Sequence, residues 1–94
     1  MTADPDWDII GYVISSTHRT MVLERLAEGP ATPTQIASDT DLSVTHVSRA
    51  LKSLRQHALV ELLVPEERRK GRVYGTTADG EDTWDIIQAK DLAE

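Results

Sequence analysis

Apolar residues recur along the chain in short periodic runs that are separated by polar and turn-forming residues. The clearest run is Val47, Ala50, Leu51 and Leu54, whose i, i+3, i+4, i+7 spacing predicts one buried face of a helix. Similar stripes predict helices over about 4–14, 17–28, 33–39 and 77–93, whereas the segments 59–64 and 72–76 have the composition of strands. The pattern therefore predicts a mainly α fold with a small β-hairpin, in a single domain spanning residues 1–94.

Polar and turn-forming residues mark where these helices begin and end. Gly29 followed by proline ends the second helix. Thr32 before Pro33 opens the third helix, because proline is well suited to the first helical position. Ser43 is a good N-cap for the fourth helix, with a side-chain oxygen able to accept from the backbone N–H of His46.

The fourth helix has a polar face opposite its apolar stripe. At 100° per residue this face carries Thr45, Arg49 and Lys52, flanked by His46 and Ser48. It has no acidic residue and no large apolar one, whereas a solvated helix face usually mixes both signs of charge. The composition of this face favours a negatively charged partner.

A short helix, a tight turn and a second helix with a polar outer face form the helix-turn-helix arrangement. Here the chain resembles the winged helix-turn-helix transcription regulators of the ArsR-like and MarR-like kinds. The matching residues are Thr34-Gln35-Ile36-Ala37, Leu42-Ser43, Val47-Ser48-Arg49 and Leu51-Lys52-Ser53-Leu54. The resemblance implies a recognition helix at about 43–57 in the DNA major groove and a wing at about 59–76 on the flanking backbone.

Two positions depart from the family pattern. Asp41 stands in the turn, and Ala58 stands after the recognition helix, where those families often have glycine. Asp tolerates the left-handed region moderately well. Ala58 would cost roughly 1 kcal/mol at positive φ, so a different helix end is expected there.

The expected DNA contacts divide into base readers and phosphate holders. Arg49 is the candidate for a guanine edge, because its guanidinium can donate two parallel hydrogen bonds. The start of the third helix and the cations of the wing are expected to hold phosphates. The complete expected set is Thr34, Gln35, Ser43, Thr45, His46, Ser48, Arg49, Lys52, Arg68, Arg69, Lys70 and Arg72.

The formal net charge of −6 is unusual for a protein that binds nucleic acid. Residues 43–72 hold seven Lys and Arg against three acids, a net of +4, so the other residues carry −10. This segregation indicates a basic binding face. The abundant Asp and Glu with few Lys and no Phe resemble proteins of salt-loving archaea, although a mesophilic acidic domain has a similar composition.

The two terminal helices carry more apolar surface than the winged core requires. In the resembling families such helices commonly form a twofold dimer. The resemblance therefore implies a homodimer bound to double-stranded DNA. The expected interface residues are Trp7, Ile10, Ile14, Trp84 and Ile87.

Other chemistry finds little support in the sequence. The chain lacks cysteine, and its histidines at 18, 46 and 57 have no metal-binding spacing. No phosphate-cradling loop, signal peptide or membrane-length apolar run is present, so we expect a cytoplasmic protein without catalytic activity, metal or cofactor. The alternative to DNA binding is a winged helix that binds another protein, which the acidic net charge favours.

Overall fold

The computed structural model describes residues 6–65 and 71–92. Within these ranges the predicted fold, mainly α with a small β-hairpin, is confirmed. The elements, in chain order, are α1 (Trp7–Ile14), α2 (Thr17–Ala27), α3 (Pro33–Thr40), α4 (Val44–Gln56), β1 (Val60–Leu62), β2 (Tyr74–Thr76) and α5 (Ala78–Ala89). Each strand is three residues long and is shorter than the apolar run that predicted it.

Short polar side chains cap the helices at the predicted positions. The Ser43 hydroxyl accepts from the backbone N–H of His46 at 3.1 Å. Thr32 accepts from the N–H of Gln35, whose side-chain oxygen accepts in return from the Thr32 N–H at 2.9 Å. This reciprocal pair is a capping box, which satisfies two backbone donors that the helix itself leaves unpaired.

The ends of α3 and α4 both lie in the left-handed region. Asp41 has a φ of 62° and Ala58 a φ of 59°. The expectation of a different helix end at Ala58 is therefore wrong, because alanine occupies the position that usually favours glycine. Backbone hydrogen bonds close this turn: the Ala58 N–H donates to the Arg55 carbonyl and the Leu59 N–H to the Leu54 carbonyl, both at 3.0 Å. The Ala58 carbonyl also accepts from the Thr77 hydroxyl at 2.6 Å.

The sheet is antiparallel and pairs Val60 with Thr76 and Leu62 with Tyr74. Tyr74 also exchanges backbone hydrogen bonds with Ala31, which lies between α2 and α3, at 2.9 and 3.0 Å. Ala31 thus adds a single bridged residue to the edge of β2. This bridge anchors the base of the wing to the helix-turn-helix.

The core lies around α2, α4 and the face of the hairpin. The stripe Val47, Ala50, Leu51 and Leu54 is buried, as its spacing predicted. The terminal helices join this same core through Ile10, Trp84 and Ile87, which are 2%, 5% and 0% exposed. These three side chains were expected at a dimer interface, but they are used inside the protomer.

Two side chains of the expected dimer interface remain at the surface. Trp7 is 51% exposed and Ile14 is 37% exposed, and both lie on α1. The Lys90 ammonium lies 5.9 Å from the centre of the Trp7 ring. Of the five residues expected at the dimer interface, only these two on the outer side of α1 form an apolar surface that the protomer leaves exposed.

Gly80 in the first turn of α5 lies directly against the backbone of Leu59. A Cβ at Gly80 would come within 2.0 Å of the Leu59 carbonyl oxygen, so only glycine fits. The Thr77 N–H also donates to this carbonyl, at 3.1 Å. This contact joins the end of α4, the first wing strand and the last helix.

Candidate nucleic-acid interface

The α4 helix separates its two faces as its sequence predicts. The apolar stripe of α4 is buried, whereas Val44 in its first turn is 49% exposed. The polar side chains opposite the stripe are exposed to solvent: Thr45, His46, Ser48, Arg49, Lys52 and Gln56. The helix itself, from Val44 to Gln56, contains no carboxylate. This arrangement leaves a polar and cationic surface on an otherwise acidic chain.

The start of α3 presents a second part of the expected interface. Thr34 and Gln35 are both exposed there. The Gln35 side-chain oxygen, however, already accepts the Thr32 N–H in the capping box. Gln35 therefore has a structural use, and Thr34 is the more available of the two for a phosphate contact.

An ion pair holds α3 in position against α2. The Arg25 Nε atom donates to an Asp39 carboxylate oxygen at 2.7 Å, and a terminal nitrogen of the same guanidinium donates to the Gly29 carbonyl. The Arg25 side chain is only 19% exposed. The first helix of the helix-turn-helix is thereby tied to the core by a charged contact that lies away from the polar face of α4.

A groove separates the polar face of α4 from the wing. It has a volume of about 560 Å³ and is lined by Ser48, Lys52, Arg55, Gln56, Arg72 and Tyr74. The fold thus brings Arg72, which lies sixteen or more residues from this part of α4, beside the cations of the helix. The remaining expected wing contacts, Arg68, Arg69 and Lys70, lie outside the described residues.

A second pocket lies on the other side of α4, where α4 meets the start of α2. It has a volume of about 380 Å³. The imidazole rings of His18 and His46 stack here, with centroids 4.3 Å apart and planes at 25°. Arg19 and Arg49 line the same pocket, together with the hydroxyl-bearing Ser16 and Ser53. The basic surface of α4 therefore continues onto α2.

His18, Arg19 and Ser16 are absent from the set expected from the sequence. Ser16 caps α2, and His18 and Arg19 lie in its first turn. Nothing in the local pattern indicates that this turn lies beside α4. Only the packing of α2 against α4 reveals it.

Tyr12 of α1 holds the guanidinium of Arg19 in place. The Arg19 Nε atom donates to the Tyr12 carbonyl at 2.9 Å, and the Arg19 carbon Cζ lies 4.0 Å from the centre of the Tyr12 ring. The ring of His57 stacks on Tyr12 with centroids 3.8 Å apart. Three helices thus meet at Tyr12, and Arg19 is fixed beside the pocket without a carboxylate partner among the residues described.

A third groove, between α2 and α5, has the opposite charge. It has a volume of about 310 Å³ and is lined by four carboxylates, those of Glu24, Glu28, Glu81 and Asp85. The described residues contain no group of three or more His, Asp or Glu placed to hold a metal ion. Over the same ranges, no helix has both the length and the apolar character needed to cross a membrane.

Comparison with known proteins places the fold. A family model described as the HVO_A0261 N-terminal domain matches residues 7–91. No curated protein matches the chain. Among solved structures, NMB1585, a MarR family regulator from Neisseria meningitidis, is 26% identical with a TM-score of 0.73. The match covers 90% of this chain and 61% of NMB1585.

Two further structures are similar in fold. The reduced form of the transcriptional regulator YodB from B. subtilis has a TM-score of 0.77 at 20% identity, covering 97% of this chain and 90% of YodB. A mutant of ZitR from Lactococcus lactis has a TM-score of 0.68 at 20% identity, covering 81% of this chain and 51% of ZitR. The chain thus spans about half of ZitR and less than two thirds of NMB1585, but most of YodB.

Proposed function

The chain belongs to the HVO_A0261 N-terminal domain family, and we propose that it is a sequence-specific DNA-binding transcription regulator. The observation that carries this proposal is the exposed face of α4, which is polar and cationic from Thr45 to Lys52 and free of carboxylates. The similarity to NMB1585, which is named as a MarR family regulator, supports the same function.

In this proposal α4 lies in the major groove of double-stranded DNA. Arg49 is the principal base reader, because it is exposed at the middle of the helix and its guanidinium can donate to both acceptors of a guanine edge. Thr45, Ser48 and Lys52 lie on the same exposed face. Lys52 also lines the groove toward the wing, where it is placed for the phosphate backbone.

The wing contacts the flanking backbone in this arrangement. Arg72 lines the same groove as Lys52 and Arg55, so the backbone of one DNA strand would pass between α4 and β2. Such contacts are independent of sequence and set the affinity and the register of the complex. The wing-tip cations at positions 68, 69 and 70 are proposed to add to them.

We further propose that two copies associate through α1. Trp7 and Ile14 are seven residues apart on this helix, so they lie on the same face, and both are exposed. Burying this face against its symmetry mate would remove the largest exposed aromatic surface from water. A twofold dimer would present two recognition helices about 34 Å apart, which is one turn of DNA.

The acidic remainder of the surface is consistent with a protein that works at high salt, as in a halophilic archaeon. Phosphate-driven binding normally weakens steeply as salt rises, because counterions are no longer released favourably. We expect this chain to depend more on base contacts and shape fit. Its affinity should therefore fall less steeply with salt than that of an ordinary basic repressor, measured by titration from low to molar salt.

The deciding experiment is selection of bound sequences from a random duplex library at several salt concentrations. We expect enrichment of a pseudo-palindrome whose half-sites lie one helical turn apart. Enrichment of a single half-site would support DNA binding by a monomer and contradict the dimer. No enrichment at any salt by the folded chain would instead support the protein-interaction alternative, which the net charge of −6 favours.

A further inference from the structure

The pocket between α2 and α4 has the composition of an anion site. Its described lining contains two imidazoles, two guanidinium groups and two serine hydroxyls, but no carboxylate. In a chain with sixteen acidic residues and ten Lys and Arg, this pocket and the groove between α4 and the wing are both lined without an acid. The groups that line it donate hydrogen bonds to anions, and phosphate accepts on several oxygens.

Two stacked imidazole rings form one wall of this pocket. Histidine is the side chain whose charge ordinarily changes between pH 5 and 8. The rings of His18 and His46 are 4.3 Å apart, with Arg19 and Arg49 lining the same pocket. Charging both rings in the empty pocket therefore opposes like charges. A bound anion offsets this repulsion, because it attracts each charged imidazole ring.

The described lining of this pocket supplies no opposing acid. On α2 the charged neighbour is Arg19, and on α4 it is Arg49. The third element near Arg19 is α1, whose Tyr12 ring lies under the Arg19 guanidinium. The remaining histidine, His57, stacks on the same Tyr12 ring. The described lining thus places two guanidinium groups beside the stacked rings and no carboxylate.

We propose that this pocket binds a phosphate of the DNA backbone and that its occupation is coupled to protonation of His18 and His46. The inference rests on the proposed DNA-binding function and adds residues of α2 to the interface. Binding should take up protons, so affinity for DNA should rise as pH falls. One linked proton changes an equilibrium constant by at most about tenfold per pH unit.

The test compares binding of the full chain to a selected duplex at pH 8 and pH 6. The parent should bind about tenfold more tightly at pH 6. His18→Gln should remove most of this difference between the two pH values. His18→Arg should bind at pH 8 about as tightly as the parent binds at pH 6, because it carries a permanent cation.

The salt dependence supplies a second readout. At pH 6, His18→Gln should reduce the salt slope by about one relative to the parent, because one ionic phosphate contact is lost. At pH 8 the two slopes should be equal. A purely structural role for the stacked rings would not produce this dependence on pH. His57→Gln is the matched control, since it removes a histidine outside the pocket and should keep the parent's pH dependence.

The outcomes separate the two proposals. A folded chain that binds no duplex overturns the proposed function and this inference together. DNA binding whose pH dependence is the same in His18→Gln and the parent overturns the inference alone. A titration with inorganic phosphate, followed by the imidazole NMR signals, distinguishes the source of the anion. Saturation by inorganic phosphate at both rings without competition from the duplex would assign the pocket to a free anion and overturn the backbone contact.

Discussion

The groove between α4 and β2 and the groove between α2 and α5 are built on the same small core but differ in charge. The first is lined by Lys52, Arg55 and Arg72, and the second by four carboxylates, those of Glu24, Glu28, Glu81 and Asp85. Both grooves lie between elements whose buried sides are apolar. The choice of exposed residues, and not the packing beneath them, therefore decides what each surface attracts.

This contrast explains why the net charge misleads. A formal charge of −6 describes the whole chain, whereas a partner meets only one face. Screening limits the reach of exposed charges to about 8 Å at physiological salt. The cations of α4, together with Arg72 just before β2, consequently determine the local potential for a bound phosphate, even though the rest of the surface is acidic.

The largest effect should come from disrupting the contact between Gly80 of α5 and the backbone of Leu59 after α4. In Gly80→Ala the new methyl group would meet the Leu59 carbonyl oxygen, which cannot move without disturbing the turn after α4. We expect the free energy of unfolding to fall by on the order of 3 kcal/mol. Chemical denaturation followed by circular dichroism measures this change.

Gly11→Ala is the control for the added methyl group. Nothing lies within 4 Å of the Cβ position at Gly11, which is in the middle of α1. Its unfolding free energy should rise by about 0.5–1 kcal/mol, because alanine favours the helix. Equal stability of Gly80→Ala and the parent would show that the backbone of Leu59 can shift to accommodate the methyl group. A loss of stability in Gly11→Ala would indicate that another chain approaches α1 there.

The second effect concerns the basic region alone. Arg49→Ala should weaken binding to the selected duplex by about 1–3 kcal/mol and relax the preference at one base pair. Gln88→Ala truncates an exposed side chain on α5, outside the α4 surface, and should change affinity little. Fluorescence anisotropy with the selected and substituted duplexes measures both. Parent-like affinity in Arg49→Ala would mean that α4 does not lie in the groove as proposed.

A smaller effect on stability is expected in the turn at Ala58, which connects α4 to the first strand of the wing. Ala58→Gly should raise the free energy of unfolding by about 1 kcal/mol, because glycine adopts positive φ without the steric penalty that alanine carries. Ala27→Gly is the matched control at the end of α2, where φ is not positive, and it should lower stability. A decrease in Ala58→Gly, measured by thermal or chemical unfolding, would contradict a strained helix end.

The smallest effect is expected from the acidic region. Glu24→Gln and Asp85→Asn together neutralise two carboxylates of the groove between α2 and α5. This double change should alter DNA affinity by less than about twofold at physiological salt, because exposed charges are screened beyond about 8 Å. The comparison is with Arg49→Ala in the same anisotropy assay. A change as large as that of Arg49→Ala would show that the α2 and α5 groove belongs to the DNA interface.

The accuracy of sequence-based prediction differs between local and distant features. The Gln35 half of the capping box was not predicted, because Gln35 was expected at a phosphate. The Ser43 and Thr32 caps, in contrast, depend on residues within four positions, so the pattern reveals them. The polar face of α4 is predictable for the same reason. The left-handed conformation of Ala58 is not predictable in this way, because a hydrogen bond from Thr77, nineteen residues away, helps to hold that turn.

The terminal helices show the limit of periodicity. Trp7 and Trp84 occur in identical four-residue segments, Trp-Asp-Ile-Ile, yet the first is 51% exposed and the second is 5% exposed. An amphipathic pattern indicates that a helix has an apolar side but does not identify what covers it. The position of each helix relative to α2 decides that.

The amino-acid sequence by itself determined the helices, their caps, the hairpin and the cationic composition of α4, because these depend on neighbouring residues and on intrinsic propensities. Only the tertiary structure decided that His18 stacks on His46, that Arg72 lies beside Lys52 and that Gly80 meets Leu59. Those contacts join residues far apart in sequence. They exist because close packing of several elements around one core leaves few positions for each surface side chain.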